Sequence, residues 1–165
     1  MPKPSTDLPY RPCVGIMLIN RKGRVWIGRR PATPDEEGAG QWWQMPQGGI
    51  DAGEDPRAAA ARELFEETGV RSIEFMAEAP EWYLYDLPAH LVGVSWGGRY
   101  RGQKQRWFAF RFLGDDREVD IAPKGHKPEF EEWRWADIDE VTALIVPFKR
   151  RVYEDVVGVF RHLVS

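Results

Sequence analysis

Apolar residues recur along this chain with two different periods. Residues 11–19, RPCVGIMLI, read as a β-strand, residues 20–23 as a turn, and residues 24–29, RVWIGR, as the strand's hairpin partner. Residues 42–46 resume as a short strand, and the Gln47-Gly48-Gly49 that follows reads as a turn. Strand patterns return over 71–80, 81–86, 91–96, 107–112 and 129–135, and within WFAFRF of 107–112 the alternation is plain. Helical spacing marks a short helix over 137–144. It also marks a longer one from Pro147, with Phe148, Val152, Val156, Phe160 and Leu163 facing inward. A further helix is marked at its ends: Asp55 suits an N-cap, Pro56 occupies the first helical position where a missing N–H costs nothing, and Gly69 suits a left-handed terminator. Between these elements, residues 31–41 and 115–128 read as polar loops and residues 1–9 as a loose arm.

The whole chain of 165 residues is expected to form one domain, with no repeat and no linker. Its single cysteine, Cys13, excludes an intrachain disulfide framework and a zinc cluster, and reads as a small apolar packing residue. The Pro-rich N-terminus has no apolar signal segment and no long uncharged apolar run occurs, so a membrane is not expected and the cytoplasm is. A net charge of −3 argues against binding DNA, or any nucleic acid, by general electrostatics; contact with RNA has to be local. One basic tract, Arg99, Arg101, Lys104 and Arg106, suits a polyphosphate or, alternatively, a solvated strand edge. His90, His126 and His162 are too scattered to suggest a triad, and no Walker lysine motif is present.

Chemistry concentrates on the helix after Asp55. Glu63, Glu66 and Glu67 stand at i, i+3 and i+4, which places three carboxylates on one face. Like charges so spaced repel by a few tenths of a kcal/mol per pair when solvated. A hard divalent cation with a preference for oxygen ligands offsets that repulsion; a plain solvated acidic face is the alternative for the triplet alone. The surrounding residues decide between them. Gly48, Glu54, Arg62, Glu63, Leu64, Glu66, Glu67, Gly69 and Val70 satisfy G-x5-E-x7-R-E-U-x-E-E-x-G-U, with U aliphatic, at every fixed position. From ordinary residue frequencies, a chance match in such a chain is on the order of one in ten million. The stretch resembles the Nudix box. That resemblance implies an α/β fold of the α+β kind, an α/β/α sandwich around a mixed β-sheet, and hydrolysis of a nucleoside diphosphate linked to another moiety.

Motifs outside the box narrow the resemblance. Tyr10-Arg-Pro12, WQMPQGGI from Trp43, GQKQRWF from Gly102, PEFEEWRW from Pro128 and Phe148-Lys149 are similar to the bacterial RNA pyrophosphohydrolases and their dinucleoside polyphosphate hydrolase relatives, from about Tyr10 to about Tyr153. By that similarity Glu63, Glu66, Glu67 and Glu129, with the Gly48 carbonyl, hold two or more Mg²⁺ or Mn²⁺ ions, and Glu67 or Glu129 accepts the proton of the attacking water. Glu54 and Arg62 brace loop against helix. Arg11, Arg30, Gln103, Lys104 and Lys149 contact phosphates or the first nucleotide, and Phe148 either stacks on a base or belongs to the core stripe of the last helix. The implied partner is a nucleotide polyphosphate or the 5′ end of an RNA. One departure bears on that choice: residues 31–41 form a longer, acidic link, and an acidic overhang would favour a dinucleoside polyphosphate over a long polyanion. Two other readings are a hydrolase that cleanses the nucleotide pool and a non-catalytic nucleotide- or RNA-binding module. The box accommodates the first but leaves GQKQRWF and PEFEEWRW without a purpose; the second is opposed by the intact glutamates.

Overall fold

A computed structural model of the chain describes residues 7–31, 41–93, 95–122, 125 and 127–164. Of the arm expected over 1–9, residues 1–6 fall outside the described residues; the carbonyl of Pro9 already accepts a hydrogen bond from the Arg101 N–H at 3.0 Å. Then follow strands β1 (Tyr10–Ile19), β2 (Val25–Arg29), β3 (Trp43–Gln44) and β4 (Gln47–Gly49) and helix α1 (Pro56–Thr68). Strands β5 (Ile73–Glu78), β6 (Tyr83–Asp86), β7 (Gly102–Phe112) and β8 (Glu132–Ala136) precede helices α2 (Val141–Leu144) and α3 (Arg150–Phe160). The strands join in one mixed sheet, with the order β3-β2-β1-β7-β5 along its main path; β4 pairs with β1, β6 with β7 and β8 with β2. Strands β1 and β7 run parallel in unbroken register from Tyr10 opposite Gly102 to Ile19 opposite Arg111.

Alternation along β1 and β7 divides the core between the two faces of the sheet. Val14, Ile16 and Leu18 with Phe108, Phe110 and Phe112 bury against Ala59, Ala60 and Leu64 of α1. Met17, Ile19, Trp107 and Ala109 bury against Val152, Tyr153, Val156, Val157 and Phe160 of α3. The result is helix on sheet on helix, the sandwich expected. Cys13 is fully buried, and burial pushes its thiol up to about 11, as an inert packing residue requires.

Several boundaries differ from the sequence expectation. Gln47–Gly49, expected as a turn, is a strand, with Gly48 opposite Val14 and Gly49 opposite Cys13. Of the strand expected over 91–96, residues 91–93 form turns and residues 95–96 open a short 3₁₀ segment, Ser95–Gly98. Gly93, Trp96, Gly97 and Gly98 all hold positive φ, between 52° and 90°, which no regular strand accommodates. The strand expected over 129–135 begins only at Glu132, and the last helix is a 3₁₀ turn over Pro147–Lys149, an α-helix, and a 3₁₀ turn over Arg161–Leu163. The loop expected over 31–41 lies largely outside the described residues, as does His126. Among the described residues, no helix is long and apolar enough to cross a membrane.

Candidate functional site

Helix α1 owes its position to its ends. Asp55 accepts from the Ala58 N–H at 3.1 Å, Pro56 opens the first turn, and Gly69, at φ 74°, closes the last by donating to the Phe65 carbonyl at 2.8 Å. The Asp120 N–H meets the Thr68 carbonyl at 2.7 Å, so the helix terminus is tied to the segment after β7.

Its N-terminal half is held by Arg62. The guanidinium donates to both oxygens of Glu54 at 2.9 Å, to the Gly49 carbonyl at 2.9 Å, to Glu63 at 2.9 Å and to Glu66 at 3.2 Å. Glu54 also accepts from the Asp51 N–H at 3.0 Å. The Arg62 bonds, with that backbone bond, hold its carboxyl down at about 2, so the loop between β4 and α1 stays pinned to the helix well into acid. Gly48 lies so close to the helix that a Cβ there would fall inside the Glu63 carboxylate.

Glu67 is the unusual side chain. It is only 7% exposed, and its carboxylate accepts from the Gln47 N–H at 3.2 Å. Burial, and then the charges of Glu129 and Glu63, raise its pKa well above the carboxylate range. Burial also raises Glu63, against the opposing pull of Arg62. Glu129 reaches this neighbourhood from the segment before β8, whose path is fixed by two anchors. The Phe130 ring fills the space over Gly28 and meets Trp26 edge-on at 5.3 Å, and the Glu131 N–H donates to the Arg29 carbonyl at 2.9 Å.

These carboxylates form one wall of a cleft of about 420 Å³ that also takes in Gly48, Arg11, Arg30, Gln103 and Lys149. Arg11 passes over Gly49, with its guanidinium 5.7 Å from the Trp96 ring centre, and Lys149 is buried 5.4 Å from the centre of the Tyr85 ring. An acidic wall facing a cationic one suits a polyphosphate bridged by cations. The donor set fits a hard divalent ion in kind, being carboxylate oxygens and backbone carbonyls. As they stand, no three His, Cys, Asp or Glu side chains among the described residues form a ready-made metal-ligating group; Arg62 engages one oxygen each of Glu63 and Glu66. A second cleft, of about 460 Å³ beside the β1–β2 turn, has Asp116 as its only carboxylate among the lining residues.

Two expected contacts do not line the cleft. Gln103 and Lys104 are neighbours on β7, so alternation sends them to opposite faces; Lys104 lies 5.3 Å from the exposed Trp82 ring, alongside Arg106 at 5.6 Å. Phe148, half-buried in the turn before α3, packs against Tyr85 at 5.6 Å and against the edge of the core. Conversely, the cleft includes Gln44 and Gln47, which the WQMPQGGI motif contains without marking a role for them, and Trp96, which lies outside every motif. Gln44 is buried with a carboxamide oxygen that has no hydrogen-bond partner, and Trp96 is the one non-glycine residue among the described residues with positive φ. Its sequence signal was slight: one aromatic residue ahead of a glycine pair.

Comparison with known proteins agrees with this geometry. Residues 9–156 match the NUDIX domain family. A protein of Rhizobium meliloti named RNA pyrophosphohydrolase is 60% identical over 162 residues, covering 96% of this chain and 97% of that one. Another of that name, from Mesorhizobium japonicum, is 61% identical over 160 residues, covering 94% and 92%. Among solved structures, the E. coli dihydroneopterin triphosphate pyrophosphohydrolase aligns with a TM-score of 0.65 at 19% identity, covering 89% of this chain and 96% of that one, a likeness of fold.

Proposed function

Because the chain belongs to the Nudix family, whose members generally use divalent metal ions, we propose that it is an RNA pyrophosphohydrolase, releasing pyrophosphate from 5′-triphosphorylated RNA. The observation that carries this reading is the 60% identity, over nearly the full length of both chains, to a protein of that name. In this reading Glu63, Glu66, Glu67 and Glu129, with the Gly48 carbonyl, hold two or more Mg²⁺ or Mn²⁺ ions. Bound there, such ions would lower the pKa of a water and neutralise charge on the polyphosphate.

The chain's own residues supply the rest. Arg11, Arg30 and Lys149 draw in the phosphates, Gln103 donates hydrogen bonds to them, and Arg62 with Glu54 keeps the Gly48 loop at its distance from α1. Water adds to phosphorus, its proton passes to Glu67 or Glu129, and the anhydride bond breaks to leave a 5′-monophosphate end and pyrophosphate. A single buried thiol and the absence of any disulfide framework accord with work in the cytoplasm.

The test is kcat/KM with Mg²⁺ on a 5′-triphosphorylated RNA and on diadenosine tetraphosphate, with Glu67→Gln as the blank. Preference for RNA is expected. Preference for the dinucleotide would replace the substrate, keep the chemistry, and point to the acidic stretch around Glu36 and Glu37 as the selector.

A further inference from the structure

From the cleft lining inward runs a chain of hydrogen bonds among amide side chains and one indole. The Trp107 indole Nε1 donates to Gln105 Oε1 at 2.9 Å, and Gln105 Nε2 donates to Gln103 Oε1 at 2.7 Å and to Gln47 Oε1 at 3.2 Å. Gln105 is 1% exposed and Gln103 3%.

The polarity of this chain is dictated from its buried end. An indole N–H can only donate, so the Gln105 oxygen has to face it, and the Gln105 amide nitrogen has to face the other way. Both of its hydrogens are then spent on the oxygens of Gln103 and Gln47. Those two side chains, which line the cleft, are left with their own N–H groups to offer. Trp107 cannot turn away, because its ring fills the space over Gly15, the residue directly opposite it on β1. Phosphate oxygens are acceptors only, so a carboxamide that met them oxygen-first would repel them.

We propose that Gln105 is a positioning residue that, oriented by Trp107, holds the carboxamides of Gln103 and Gln47 with their N–H sides toward the substrate's polyphosphate. This rests on the reading of the cleft as a polyphosphate site. It assigns a purpose to a glutamine that cannot touch substrate, and it explains why one face of β7 carries two amides and then the indole, with a third amide reaching them from β4.

The experiment compares Gln105→Glu and Gln105→Met, alone and in a Gln103→Ala background, on 5′-triphosphorylated RNA and diadenosine tetraphosphate. Glutamate keeps the length and the bond from Trp107 but has no N–H; methionine keeps the length, adds no charge and frees Gln103 to turn either way. With one net hydrogen bond at stake per amide, KM is expected to rise about tenfold for Gln105→Glu and about threefold for Gln105→Met, with kcat changing less than KM. In the Gln103→Ala background the Gln105→Met effect is expected to shrink. An unchanged KM, effects that multiply independently, or a fall in kcat and melting temperature together would overturn the proposal and leave Gln105 a packing residue. If the wild type turns over neither substrate, the functional reading fails instead. The relay is then judged by tryptophan fluorescence titration with inorganic tripolyphosphate: affinity falling from wild type through Met to Glu supports it, and equal affinities overturn it.

Discussion

Helices α1 and α3 cover opposite faces of one sheet, yet they are built on opposite principles. Helix α3 buries Val152, Tyr153, Val156, Val157 and Phe160 and needs no side-chain cap at its start. Helix α1 buries only Ala59, Ala60 and Leu64 as apolar residues, and beside them a Thr and a Glu. It is held by an Asp55 cap, a left-handed Gly69 and the bonds radiating from Arg62. Short alanines let α1 lie close to the sheet, which leaves its other face free for carboxylates. A helix that carries charge into a cleft gives up packing and is anchored at its ends instead.

That contrast can be broken most forcefully at Glu67. Glu67→Gln is expected to lower kcat by roughly 10²- to 10⁴-fold without loss of stability, which steady-state kinetics beside thermal melts will check. The sign follows from its raised pKa: the folded state favours the protonated acid, so that contribution is fully present below the unfolded carboxyl's pKa and is lost as pH rises through the folded value. In the absence of metal, the glutamine variant should therefore melt at or above wild type at pH 7, with the gap closing as pH falls into the ordinary carboxylate range. Phe160→Ala is the converse. It should cost about 3–5 kcal/mol in denaturant unfolding while kcat per folded molecule stays near wild type. Asp55→Ala, which removes the cap alone, should cost about 1 kcal/mol. Least of all, Lys104→Ala should change KM by less than about twofold, since its side chain stands on the strand face away from the cleft.

The parts of this molecule legible in sequence are those specified locally. Asp55, Pro56 and Gly69 end α1 where their chemistry requires, and the inward positions Val152, Val156 and Phe160 of α3 follow from spacing alone. The strand expected over 91–96 fails because apolar content outweighed the glycines, whose left-handed backbone decides that segment. Resemblance pairs Lys104 with Gln103 as contacts to the substrate, although residues adjacent in a strand point to opposite faces. Phe148 belongs to both a motif and a helical stripe, and the structure leaves it half-buried against Tyr85, outside the cleft lining. Arg11, Arg30, Lys149 and Glu129 converge from four distant segments, a proximity no local pattern encodes; only resemblance singled them out. Gln44 stands inside the WQMPQGGI motif but has no distinguishing signal there, Trp96 belongs to no motif, and Gln105 acts from behind the cleft wall.

The parallel pairing of β1 with β7 also bears on when the cleft comes into existence. Arg11 and Gln103 stand opposite each other in that ladder, though roughly ninety residues separate them, and loop closure over such a distance is a late and slow event in folding. A ribosome delivers β1 long before its partner, so Val14, Ile16 and Leu18 must wait uncovered on one side while more than half of the chain, residues 20–112, is made. Assembly of the cleft is thereby tied to completion of the chain: Glu129 and Lys149 emerge later still, and a nascent or truncated copy that already carries every residue of α1 has no cleft in which to use them.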